Sequence, residues 1–277
     1  MNSSEKIHVV IEAGRTESTY WKDLWSYREL FFFLTWRDVL VRYKQTVFGV
    51  LWALLKPLLT MIVFVFIFGK LAKLPSDGLP YSILVLTGML PWLFFATAFA
   101  EAGNSLVNNR NIISKIYFPR LIVPISSVMV SLLDLFISSL ILIPLAIWFG
   151  VFPDARILLL PLFVLLAMGA AIGAGLLVAS LNVKYRDFGY VLPFVIQFGM
   201  YISPVAYSTS ILPEKWRLIY ALNPMVGVIN GFRWCLTGQN TPLYIDTVLV
   251  SICVVIVLLF SGIYYFRASE KSFADVI

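Results

Sequence analysis

The chain has 277 residues, a net charge of +6 and 60% hydrophobic residues, with only 13% charged and a mean hydropathy of +0.88. Soluble domains carry about 45–50% apolar residues and about 25% charged ones, so this composition describes an integral membrane protein, and its periodicity is helical rather than barrel-like. The positive charge reads as Lys and Arg flanking membrane spans, not as a nucleic-acid footprint, and two cysteines (Cys235, Cys253) with a single His8 exclude a disulfide framework and a histidine metal site.

Residues 1–20 form a polar tail. The first 40 residues lack the apolar core of a signal peptide, so the first span is expected to direct insertion itself. Over 21–44 an amphipathic helix is predicted. Trp21, Trp25, Phe32, Trp36, Val39 and Tyr43 fall near one face, Arg28 and Arg42 encroach on it, and a break near Arg28 is expected. Trp and Tyr beside Lys and Arg suit a helix lying in the headgroup plane.

Six stretches then reach the ~20 residues that ~30 Å of hydrocarbon requires: 46–69, 81–100, 121–149, 157–181, 187–207 and 244–266. An even count puts both termini on one side. With that side cytoplasmic, the inner segments hold 14 of the 21 Lys and Arg, a moderate positive-inside bias. The fourth span carries Gly169 and Gly173 in a G-x-x-x-G pattern, which lets helix backbones approach closely. The expected fold is thus all-α: six transmembrane helices in 45–277 and an amino-terminal interface helix.

One stretch fits neither span nor solvent loop. Residues 201–234 are apolar, yet Pro204, Pro213 and Pro224 prevent a continuous helix, and Glu214, Lys215 and Arg217 sit in the middle. Two short helical pieces, 203–212 and 214–222, and a further turn after Pro224 are expected. Irregular backbone at membrane depth survives only against protein or a water-filled cavity, so this reads as a re-entrant helical pair between spans five and six. The three charges would mark the turn between its halves. Tyr201, Tyr207, Trp216 and Tyr220 cluster there, and Gln197 lies beside Pro193 and Gly199. These are candidate residues of a path or gate, because aromatic faces with polar tips suit a sliding amphipathic chain.

Two charges fall inside predicted hydrocarbon. Lys56 and Asp134 lie at similar depth and are expected to form an ion pair or to face a shared aqueous path; the alternatives are that the Lys56 stem snorkels to the headgroups and that Asp134 has a hydrogen-bonded buried role. Two inner turns stand out: 101–120, long enough for its own helix at 104–116, and the short charged 182–187. No G-x-x-x-x-G-K-[ST] is present, and no close Asp pair suits magnesium. Any energy source lies outside this chain, which is not expected to be an enzyme by itself.

The pieces RYKQTVFGVLWALLKPLLTM (42–61), GMLPWLFF (88–95), NIISKIYFPRLIVP (111–124), VKYRD (183–187), SPVAYS (203–208) and YALNPMVGVINGFRW (220–234), in this order between six spans, resemble the membrane permease of bacterial polysaccharide ABC exporters of the O-antigen class. The resemblance covers nearly the whole chain. Lys56 departs from it, since an uncharged polar residue is expected there as readily as a cation. The resemblance implies a homodimer in the bacterial inner membrane with both termini cytoplasmic. It also implies two separate ATPase subunits, which bind the ATP and magnesium, with no cofactor in this chain. Coupling segments are implied at 104–118 and 182–187, with Asn108, Asn109, Arg110, Ile112, Lys115, Lys184, Tyr185, Arg186 and Asp187 as contacts. A periplasmic gate is implied at 203–226. The implied substrate is a polyprenyl-pyrophosphate-linked polysaccharide moved from cytoplasm to periplasm. Teichoic acid, capsule or a small amphipathic molecule are the alternatives. Arg37, Arg42 and Lys44 either attract the pyrophosphate or hold membrane lipid headgroups.

Overall fold

The computed structural model describes residues 17–44, 49–185, 187–238, 241–270 and 273, and among these the regular structure is entirely helical. Helices α1 (Glu17–Ser26) and α2 (Arg28–Lys44) cover the amino-terminal helix predicted over 21–44, and the break falls at Tyr27, beside Arg28 where it is expected. The chain continues through α3 (Gly49–Phe64), which runs on as a π-helical turn over Val65–Leu71, then α4 (Tyr81–Asn108) and the short α5 (Arg110–Ile113). Helices α6 (Ile122–Ser139) and α7 (Leu142–Phe149) follow, then α8 (Leu160–Lys184) and α9 (Phe188–Ile202). After the break come α10 (Glu214–Tyr220), α11 (Pro224–Thr237) and α12 (Ile245–Glu270).

Among the described residues, five helical stretches are long and apolar enough to cross a membrane: Val50–Leu71, Tyr81–Asn108, Ile122–Phe149, Ala155–Lys184 and Ile245–Glu270. The stretch expected as the fifth span, 187–207, is instead the 15-residue α9 followed by non-helical backbone. At 1.5 Å per residue α9 rises about 22 Å, short of the ~30 Å of hydrocarbon.

The bundle is built around α4. In its apolar window 78% of residues are buried, against 11% for Val50–Leu71, so α4 is the central post and α3 is peripheral. Leu86, Met89, Trp92, Phe94 and Phe99 of α4 pack with Phe163 and Ala171 of α8 and with Met225, Ile229 and Phe232 of α11. A second cluster closes the opposite end, where Leu34 of α2 meets Leu106, Ile113, Phe118, Leu121 and Phe266. The small residues of α8 have a clear packing role. A methyl group on Gly173 would lie 2.6 Å from the Leu258 carbonyl carbon, and one on Gly262 would strike the Gly173 carbonyl oxygen. Helices α8 and α12 therefore touch backbone to backbone.

Three local expectations differ. No separate helix spans 104–116, because α4 runs unbroken to Asn108 and only the turn of α5 follows. The piece 203–212 is not helical beyond a 3₁₀ turn at Thr209–Ile211, and α11 is a full 14-residue helix rather than a turn. Its start is set locally: Pro224 supplies the first-turn residue that needs no donor, and the Asn223 side chain accepts from the Met225 N–H at 3.1 Å.

Tyr20 donates to Glu270 at 3.3 Å and lies under Arg267, while the Arg120 N–H donates to Glu270 at 2.9 Å. The first helix and the end of the last one thus share an end of the bundle with the loop between α5 and α6.

Candidate functional site

At the end of the bundle away from α1, the broken stretch is organised around Arg233 of α11. This side chain is buried (3% exposed), and its guanidinium donates only to backbone carbonyls. Nη1 reaches Tyr207 O at 2.9 Å, Nη2 reaches Val205 O at 2.8 Å and Leu84 O at 3.1 Å, and Nε reaches Leu84 O at 3.2 Å. This explains why 203–208 is not helical: its carbonyls turn inward to the guanidinium instead of along a helix axis. Gly88 makes room, since a methyl there would lie 2.6 Å from Nη2 and 2.8 Å from Val205 O.

Two further ties hold the same stretch. The Tyr220 hydroxyl donates to Ile202 O at 2.6 Å and accepts from the Tyr207 hydroxyl at 2.7 Å, which itself lies 3.0 Å from the same carbonyl. The hydroxyls of Ser208 and Ser210 donate to Asp77, from the loop before α4; the Ser210 bond is 2.8 Å. Asp77 has φ +50°, a left-handed conformation that Asp tolerates better than most residues. Glu214, Lys215 and Arg217 are not a turn between half-helices: they lie on α10 itself, because Pro213 forces the chain to restart there, and Arg217 stacks 4.3 Å from the Tyr244 ring.

Of the residues expected to line a path, Gln197 and Tyr201 are exposed on α9 and Trp216 is exposed on α10. Tyr207 and Tyr220 are half-buried, with their hydroxyls committed to each other and to Ile202.

At the α1 end, a second polar cluster joins α2 to the bundle. Arg42 pairs with Glu101 of α4 at 2.5 Å and with Asp134 of α6 at 2.6 Å, and Tyr43 donates to the other Asp134 oxygen. Burial and then the Asp134 carboxylate push the Tyr43 phenol above its ordinary value of 10, so it stays a protonated donor at neutral pH. The expected Lys56–Asp134 ion pair is not formed. Arg42 reaches Asp134 first because α2 packs on α6, while Lys56 and Asp134 line one cavity of about 250 Å³. Arg37 is likewise engaged, by Asp38 at 2.6 Å and Asn109 at 2.7 Å, whereas Lys44 is exposed at the end of α2.

The segments expected to couple to a partner are brought together. Asn182 near the end of α8 donates to Asn104 Oδ1 at 3.0 Å and to Gly103 O at 3.3 Å, linking the ends of α8 and α4. Asn108, Arg110, Lys115, Lys184, Tyr185 and Asp187 are exposed, Asn109 and Ile112 half-buried, and Arg186 lies outside the described residues. Sequence reasoning missed Arg233, Asp77 and Glu101; Asn104 and Asn182 lie at the starts of the expected segments 104–118 and 182–187 but are not among the residues singled out there. The available signal was an arginine inside an otherwise apolar helix, where a buried cation needs acceptors.

Residues 29–237 match the family model described as ABC-2 type transporter. The chain is similar to the O-antigen export system permease protein RfbA of Myxococcus xanthus, at 26% identity over 92% of this chain and 98% of that protein. It is also similar to RfbA of Klebsiella pneumoniae (27%, over 90% of this chain and 95% of that one) and to the polysialic acid transport protein KpsM of Escherichia coli (22%, over 71% and 77%). With three quarters of its length matched, the chain belongs to the ABC-2 type transporter family.

Proposed function

We propose that this chain is the membrane subunit of an ATP-driven exporter that moves a polyprenyl-pyrophosphate-linked polysaccharide from cytoplasm to periplasm. In this reading two copies work with two separate ATPase subunits, which bind ATP and magnesium. The observation that carries it is the similarity to O-antigen permeases, which runs through both the broken stretch and the polar cluster. Helix α9 together with the non-helical 203–208 makes the sixth crossing, so that both termini are cytoplasmic. Helices α1 and α2 lie in the headgroup plane, presenting exposed Trp21, Trp25, Phe32 and Trp36 to lipid.

The tips of 104–118 and 182–187 receive the ATPase's motion, and the Asn104–Asn182 tie makes them move as one body. At the other end, 203–226 is the periplasmic gate, with Gln197, Tyr201 and Trp216 facing the glycan. Arg37 and Arg42 are held by carboxylates, so attraction of the pyrophosphate falls mainly to Lys44. Similarity to KpsM keeps a capsular polysaccharide as the second substrate reading.

The test is genetic and chemical. Deleting the gene should abolish surface polysaccharide and accumulate lipid-linked glycan inside the cell, with restoration by the intact chain. Normal surface polysaccharide in the deletion strain would refute the proposal.

A further inference from the structure

Lys56 lies six residues past Val50 on α3, about 9 Å along the helix axis. Its cavity is also lined by Arg42, Tyr43 and Asp134, and by the apolar side chains of Trp52, Leu93 and Phe94. The other polar groups there are already engaged. Arg42 is bound to two carboxylates, and both Asp134 oxygens are taken by Arg42 and Tyr43. The hydroxyls of Thr97 and Ser138 donate to backbone carbonyls of their own helices. Among the described residues no carboxylate lies within 4 Å of Lys56. Lys56 is itself exposed, and a cation beside hydrocarbon favours an anionic partner.

The partner must be amphipathic, because the wall beside Lys56 is aromatic and aliphatic. It must also arrive from the α1 end, because a second, polar cavity of about 320 Å³ adjoins the first at Arg42 and is lined by Arg37, Ser105, Asn108 and Asn109. We infer that this cavity binds the phosphate of a lipid headgroup, with Lys56 as its counter-ion and the hydrocarbon chain along Trp52 and Phe94. Lysine acts there as a point charge with three donors and needs no planar fork from its ligand. The site does not rest on the direction or energy source of transport. Its ligand is either a membrane phospholipid or a polyprenyl carrier, which share the phosphate.

The test uses the purified, delipidated transporter with its ATPase in neutral detergent. Native mass spectrometry reads occupancy with undecaprenyl phosphate, undecaprenol, phosphatidylglycerol and diacylglycerol. Wild type should retain the phosphorylated lipid of each pair and not its phosphate-free counterpart. Lys56→Gln should lose about tenfold in occupancy, the worth of one hydrogen bond to a charged group, while Lys56→Arg should stay near wild type and show that the fold tolerates change there. Preference for undecaprenyl phosphate assigns the site to the carrier, and equal retention of both phosphorylated lipids assigns it to phospholipid. Unchanged occupancy in Lys56→Gln, or equal binding of the phosphate-free lipids, overturns the site. Glycan export is measured separately, so either result leaves the transport reading to its own test.

Discussion

Arg233 and Arg42 are two arginines in apolar surroundings with opposite solutions. Arg42 is held by two carboxylates on two helices, with side-chain exposures of 29% for itself, 40% for Glu101 and 23% for Asp134. Water still screens such a pair, so its net worth is modest. In a double-mutant cycle Arg42 and Asp134 should couple by about 0.5–2 kcal/mol, while Lys56 and Asp134 should show a coupling near zero. The cycle is read by thermal unfolding of the detergent-solubilised protein.

Arg233 instead satisfies carbonyls of Leu84, Val205 and Tyr207; Leu84 O has a second donor in the Thr87 hydroxyl at 3.2 Å, so the carbonyls of Val205 and Tyr207 depend on the guanidinium most. Arg233→Met should leave the Val205 and Tyr207 carbonyls without this donor and destabilise the protein by about 3 kcal/mol. Arg233→Lys should recover part of that loss, and a melting temperature equal to wild type in Arg233→Met would contradict this role. Gly88→Ala presses on the same contact, so it should lower the melting temperature as well.

Among the elements, α8 and α12 are joined through glycine. Replacing Gly173 by Leu forces apart backbones already in contact and should cost about 1–3 kcal/mol, read as a lowered melting temperature. The same change at Gly150, where no atom lies within 4 Å of a built methyl, tests only the strain of its φ of +66°. The long apolar helices were legible in the sequence because ~20 apolar residues in a row have few other outcomes. The break at 201–234 was legible from its prolines. Its internal form was not, because the backbone of 203–208 is shaped by Arg233, a residue 25 or more positions later, and no local pattern reports that contact. The end of α4 was misjudged for a related reason. Polar Asn104 and Asn108 suggest a surface turn, but Asn104 is held by Asn182 and the helix continues. The shortness of α9 was hidden because apolar residues continue past Ile202 into backbone that turns aside.

For the molecule as a whole, the two polar clusters sit at opposite ends of α4, the most buried of the five span-length helices, which is suited to carry displacement from one to the other. In the proposed exporter the ATPase acts at the Asn104–Asn182 end. Asn182→Leu should therefore weaken substrate-dependent ATP hydrolysis more than it weakens ATPase assembly, as measured by hydrolysis rate against co-purified ATPase; equal loss of both would make Asn182 merely structural. The central claim is tested most directly by transport itself. The chain would be reconstituted with its ATPase in vesicles holding lipid-linked polysaccharide, with accessibility of the glycan to an added glycosidase on the side away from the ATPase as readout. The glycan should become digestible only with ATP and magnesium, and Arg233→Met should alter the ATP-free leak. Glycan that stays protected while ATP is hydrolysed, or that crosses equally without ATP, would contradict the claim.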